Sequence, residues 1–172
     1  MKEKKMMWIR YTICFGVVAV LCYLFPYTGD DWAWGSQIGI DRLNQWFENY
    51  NGRYVGNLIV LVMTRSNLLK AVIMSVGLTG IVALSEYIFK KKWAFYVSCV
   101  ALVLMPKLIL KQAVVWTAGY ANYVTSLFLT LLFIAYVIPV FQRDAKKKTL
   151  ALFAAFCIRC DKYFDCGTLD NL

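Results

Sequence analysis

Histidine is absent from this 172-residue chain, and acidic side chains are scarce, with 10 Asp and Glu against 19 Lys and Arg. The commonest metal-binding side chain is therefore missing. Proline occurs only three times, as Pro26, Pro106 and Pro139, each beside or within an apolar run. Charged residues make up only 17% of the chain, which leaves hydrophobic stretches too long for a soluble core. A cleavage signal is lacking too. The first apolar run ends in Leu24-Phe25-Pro26-Tyr27 with no small-x-small site, so it reads as an uncleaved helix rather than a signal peptide.

What remains is 60% hydrophobic, with a mean hydropathy of +0.56. The apolar runs predict an all-α, polytopic transmembrane bundle: four full spans near residues 8–27, 68–89, 93–110 and 123–141, and an incomplete fifth at 149–158. The third is interrupted by Pro106-Lys107. Net charge of +9 does not form one patch. It falls in clusters between the runs, at Lys2, Lys4, Lys5 and Arg10, at Lys90, Lys91 and Lys92, and at Arg143, Lys146, Lys147 and Lys148. That alternation is the mark of the positive-inside rule, not of nucleic-acid binding. It places the chain in a cell membrane with a cytoplasmic amino terminus and with loops 27–67 and 106–122 outside. Arg10 is expected to snorkel, and Glu86 to pair with Lys90 one turn on.

The two outer loops carry the residues with chemistry. Gly29-Asp30-Asp31-Trp32 sets two adjacent carboxylates directly after the first span, where ionised groups are costly. One can be a helix cap; two beside Trp32 and Trp34 also fit a catalytic site. Leu43, Trp46, Phe47 and Tyr50 share a helical face, which predicts an extracytoplasmic interfacial helix over residues 36–51. After Asn51-Gly52-Arg53-Tyr54 comes an apolar piece, Tyr54–Met63, too short to span. In the second loop Lys107 and Lys111 lie four apart, placed either to hold a phosphate or to snorkel toward lipid headgroups. Trp116, Tyr120 and Tyr123 fit an aromatic belt as well as a sugar platform. Asn122, an amide opening a span, needs a partner.

Three motifs in order, Gly29-Asp30-Asp31-Trp32, Tyr50-Asn51-Gly52-Arg53-Tyr54 and Trp116-x-x-Gly119-x-x-Asn122-Tyr123, resemble an uncharacterised family of bacterial multi-pass membrane proteins. The layout is similar to that of GT-C glycosyltransferases, which take sugars from polyprenyl-phosphate donors at the outer membrane face. The resemblance covers roughly residues 8–156 and implies a cell-envelope enzyme. In it Asp30 or Asp31 is the catalytic carboxylate, acting as general base or helping bind a divalent metal. Arg53, Lys107 and Lys111 would offset charge on the lipid phosphate, and Trp116, Asn122 and Tyr123 would bind substrate. The departure from GT-C proteins is the helix count, which is far lower here.

The carboxy-terminal part explains that departure if the chain is a fragment. Residues 1–158 form the transmembrane domain, and residues 159–172 turn abruptly polar, as a shifted reading frame would make them. Cys157, Cys160 and Cys166 include a C-x-x-C but lack a fourth zinc ligand. Cys14, Cys22 and Cys99 lie within spans as packing residues. Two other readings stand beside the transferase: a non-catalytic carrier or partner subunit in envelope polysaccharide export, and an inactive truncated product. Charges near mid-membrane, which a carrier would need, are few.

Overall fold

The computed structural model describes residues 2–48 and 50–143, and among these every regular element is helical. In chain order they are α1 (Lys2–Leu24), α2 (Asp31–Gly35), α3 (Gln37–Asn44), α4 (Tyr54–Met63), α5 (Asn67–Phe89), α6 (Trp93–Val103), α7 (Lys107–Ile109), a π-wound stretch Leu110–Val115, and α8 (Thr117–Arg143). The incomplete fifth run at 149–158, the polar tail and Cys157, Cys160 and Cys166 lie outside the described residues.

Among the described residues, three helices are long and apolar enough to cross a membrane: Lys5–Leu24, Asn67–Phe89 and Thr117–Pro139. The third apolar run is not a straight span. Trp93–Val103 and Lys107–Val115 meet at 85°, so the total is three, or four if that bent pair counts as one. Pro106 is the physical reason: it has no N–H to give a helix, and it disfavours helical geometry at the residue before it. Pro26 has the same effect beyond α1, which stops at Leu24 rather than running to Tyr27. The last helix begins six residues earlier than the hydropathy run suggests, at Thr117, and passes through Pro139.

α5 is the central element. It packs on α1, α8, α6 and α4, and 44% of its apolar window is buried, against 6% for α1 and 17% for α8. Ser66 starts it by accepting from the Leu68 N–H at 3.2 Å. Small residues let the neighbours close in: Gly77 lies against the Tyr120 ring, and Gly80 against Phe128. The Tyr120 hydroxyl donates to the carbonyls of Ile73 and Met74, at 3.2 and 3.1 Å. The core around this contact holds Cys22, Met63, Ala71, Met74, Leu78, Val114 and Val124.

The predicted interfacial helix is shorter than its periodicity. α3 ends at Asn44, because Trp46 and Phe47 take left-handed backbone conformations, φ 51° and 57°. The chain reverses there. Phe47 turns into a second small core with Trp34, Val60, Leu61, Ala118 and Ala121, while Trp46 is 73% exposed. The four residues therefore do not share one face. α4 keeps the predicted bounds, Tyr54–Met63, and packs on α8, α5 and α2.

Glu86 is also re-partnered. It accepts from Arg10 on both oxygens at 2.9 Å and from the Tyr11 hydroxyl at 2.6 Å, not from Lys90. Lys90 instead ends α5 in a left-handed cap conformation, φ 54°. Arg10 does not snorkel; its guanidinium stacks on Phe95 at 4.5 Å as well. This group ties α1, α5 and α6 at one end of the bundle. Glu86→Ala strands Arg10, whose Nε is already buried without an acceptor. Breaking one side of such a pair is expected to cost about 3 kcal/mol, and the Arg10→Met/Glu86→Met double variant to recover most of it. Denaturant unfolding in mixed micelles checks this; equal losses in the single and double variants would contradict it.

Candidate functional site

At the opposite end of the bundle, the start of α8 has an unusual need. Trp116 precedes it in extended conformation, ψ 120°, and its carbonyl accepts the first helical bond from Tyr120 at 2.8 Å. It therefore occupies the N-cap position, yet an indole has no acceptor for the exposed N–H groups of the first turn. The acceptor comes from another element. Asp31, only 1% exposed, receives the N–H of Thr117 at 3.2 Å and of Ala118 at 3.3 Å. It also accepts from the Thr28 N–H at 3.1 Å, closing the turn before α2. A carboxylate at a helix N-terminus is favoured by the helix dipole as well.

Asp30 faces a different direction. One oxygen accepts the Trp116 indole N–H at 2.9 Å and the other the Trp34 indole N–H at 3.2 Å. It is partly exposed, whereas Trp34 is buried. Gly29 makes the turn possible, with φ 60°, and a side chain there would meet the Trp116 ring at 3.5 Å. Trp32 stands 69% exposed with its ring edge-to-face on Tyr27, centroids 5.7 Å apart.

Lys70 completes the group from α5. Fully buried, it donates to the Phe25 carbonyl at 2.5 Å and lies 4.0 Å from the centre of the Tyr27 ring. Tyr27 in turn donates to the Met63 carbonyl at 3.2 Å. Burial, and after it the negative charge of Asp31, push the Tyr27 phenol above its ordinary value, which keeps that donor protonated.

The remaining predicted site residues are distributed as follows. Asn122 sits more than a turn inside α8, not at a span's start, and donates to the Ala118 carbonyl at 2.7 Å. Its amide faces Gly56 of α4, where an added side chain would stand 2.6 Å from its oxygen. Tyr123 is exposed on α8. Arg53 is exposed at the start of α4, and Asn51 beside it accepts from the Arg53 N–H and the Asn57 amide, at 3.0 and 2.9 Å. Lys107 and Lys111 are exposed on the segment leading to Trp116, where the winding loosens from α to π. Neither lysine ammonium reaches Asp30 or Trp116 with a hydrogen bond among the described residues; Lys111 meets Trp116 through its backbone carbonyl, which accepts the Trp116 N–H at 3.1 Å. The structure thus joins Asp30, Asp31 and Trp116 directly, sets Asn122 against Gly56 just beyond the second motif, and leaves the cations at the periphery.

Trp34, noted in the sequence as a neighbour of the pair, holds Asp30. Three further contributors were not singled out from sequence. Arg65 donates to the carbonyls of Trp34, Gly35 and Ser36, at 3.0, 3.0 and 3.3 Å, closing the end of α2. Arg42 stacks between Trp34 and Tyr50, 4.8 and 4.2 Å from their ring centres. Lys70 is signalled by its type, since a lysine inside an apolar run is costly to place. Among the described residues no group of three or more Cys, Asp or Glu converges, so the donor set does not fit a protein-built metal site.

No protein-family model, curated protein or solved structure matches this chain. Its described residues form an all-helical fold with three or four apolar helices able to cross a membrane, consistent with a multi-pass membrane protein. The two aspartates should separate experimentally. Asp31→Ala removes the acceptor of three backbone N–H groups and is expected to destabilise by about 3 kcal/mol, whereas Asp30→Asn keeps one acceptor oxygen and should cost under about 1.5 kcal/mol. Thermal unfolding of both variants in detergent checks the order; the reverse order would refute the capping role of Asp31.

Proposed function

We propose that this chain forms part of a GT-C-like glycosyltransferase, working at the outer membrane face on a polyprenyl-phosphate-linked sugar, with Asp30 as the general base. The observation that carries this reading is the meeting of Asp30 with Trp116, 86 residues apart in sequence, in one partly exposed group at one end of the bundle. The three motifs that resemble the uncharacterised bacterial family all gather at that end. In the reaction, the acceptor hydroxyl loses its proton to Asp30 as its oxygen bonds to the sugar's anomeric carbon. The bond from that carbon to the lipid phosphate breaks, and the phosphate leaves with the electron pair. Arg53, Lys107 and Lys111 would offset its charge. Two indole N–H bonds leave Asp30 with acceptor capacity, since a carboxylate offers about four lone-pair sites. Asp31, occupied by backbone N–H groups, serves as the anchor instead.

The lysine clusters support an orientation with the amino terminus in the cytoplasm and this site outside. Gln37 and Lys107 are exposed, so cysteines placed there should react with an impermeant maleimide added to intact cells. Reaction only after lysis would reverse the orientation.

A non-catalytic subunit in envelope polysaccharide export is the second reading, favoured by the engagement of both Asp30 oxygens in structural bonds. One assay separates the two. Membranes carrying the chain are given a radiolabelled polyprenyl-phosphate sugar, and transfer to endogenous acceptor is followed. Asp30→Asn should lower transfer at least about a hundredfold, within the range for loss of a general base, with unfolding unchanged beyond the small cost above. Equal transfer by wild type and variant would dismiss the catalytic reading and leave the export subunit.

A further inference from the structure

At the end of the bundle away from Asp30, the last turn of α5 and α8 part around a cleft of about 420 Å³. Its lining is divided by chemistry. Ile88, Ile138 and Pro139 form an apolar wall, while Lys90, Lys91 and Lys92 surround it with cations. Among the described residues the one acidic group on the lining is Glu86, and its charge is already matched by Arg10 through two 2.9 Å bonds from the α1 side. Lys90 and Lys91 therefore give the cleft its positive potential. Their backbone is fixed rather than loose: Lys90 caps α5 with its N–H on the Glu86 carbonyl at 2.9 Å, and α6 begins at Trp93.

Depth narrows the ligand. Phe89 ends the apolar run of α5, and Lys90, Lys91 and Lys92 follow it directly at the mouth of the cleft. It therefore opens where hydrocarbon gives way to headgroups, the level of a phospholipid's phosphate. A cationic mouth over an apolar wall, at that level, is complementary to a molecule that is anionic at one end and hydrocarbon at the other. The volume is within the usual range of small-molecule sites. We infer that this cleft binds the phosphate of an anionic glycerophospholipid from the adjoining leaflet, with the start of its acyl chains against Ile88 and Ile138. The site is independent of the sugar-transfer reading, since no residue is shared between them.

The test uses the full chain purified in neutral detergent, titrated with short-chain phosphatidylglycerol or phosphatidylcholine and read by native mass spectrometry. Phosphatidylglycerol should bind more tightly. Replacing Lys90 and Lys91 together by Gln should weaken it about twentyfold, each lysine near an anionic headgroup being a severalfold contribution. Because those lysines also influence membrane orientation, a second variant keeps them. Ile138→Trp fills the cleft without changing charge and should weaken phosphatidylglycerol at least about tenfold, by denying the acyl chains their wall. Unchanged binding in Ile138→Trp would overturn the inference, because the lysines would then act only as a diffuse charged surface. Inorganic phosphate supplies the other arm. If millimolar phosphate competes fully and phosphatidylglycerol binds no better than phosphatidylcholine, the ligand is a soluble anion and the lipid assignment fails.

Discussion

A buried carboxylate organises this protein. Asp31 is almost wholly removed from solvent, a position that costs several kcal/mol unless the charge is matched. It is matched by three backbone N–H groups and by the N-terminal dipole of α8. The buried ammonium of Lys70 also lies within electrostatic reach. Those partners come from the turn after α1, the first turn of α8 and the early part of α5. One side chain thus fixes where three membrane-length helices stand relative to each other. Because Trp116 cannot cap its own helix, α8 can begin at Thr117 only where Asp31 is available.

Lipid surroundings make such contacts more important than they would be in water. Hydrocarbon is as apolar as leucine, so burial gives two helices little reason to associate; close packing and polar bonds decide instead. α1 illustrates the point. With so little of its surface buried, it is held by its contact with α5 and by a polar group at each end. At one end Arg10 and Tyr11 hold Glu86, and at the other Lys70 holds the Phe25 carbonyl. Between them the approach of Gly77 and Gly80 to Tyr120 and Phe128 brings α8 close to α5. The polar ends set register, and the small residues set distance.

Apolar run length made the main helices legible before any coordinates: α5 and α4 lie within a residue of the expected bounds, and Pro106 breaks the third run as its chemistry requires. What was not legible depends on partners distant in sequence. Glu86 had an i+4 lysine at hand, but Arg10 and Tyr11, some 75 residues earlier, provide two charged bonds and a hydroxyl, and proximity along a helix cannot compete with that. The periodicity of Leu43, Trp46, Phe47 and Tyr50 was real as spacing yet did not form a face. Two left-handed residues in succession end the helix, and burying Phe47 beside Trp34 in the second core accompanies that strain. Asp30, Asp31 and Trp116 were marked by type, since charge and indole at a membrane boundary are conspicuous. Their division of roles was not, because nothing in the sequence states which carboxylate faces α8.

That division follows from helix geometry. Consecutive residues at the start of a helix point about 100° apart, so two adjacent aspartates cannot serve the same neighbour. At the beginning of α2 one is directed inward to the backbone of α8 and the other outward between two indoles. The pair is therefore better understood as one device with two outputs than as a duplicated acid. Its inner half is committed, because removing it would orphan three donors at once. Its outer half bonds only to side chains, and side-chain bonds can exchange for a substrate hydroxyl without unwinding a helix. In the sugar-transfer reading proposed above, the chemistry therefore falls to Asp30, while Asp31, bound to the first turn of α8, holds Asp30 against Trp116.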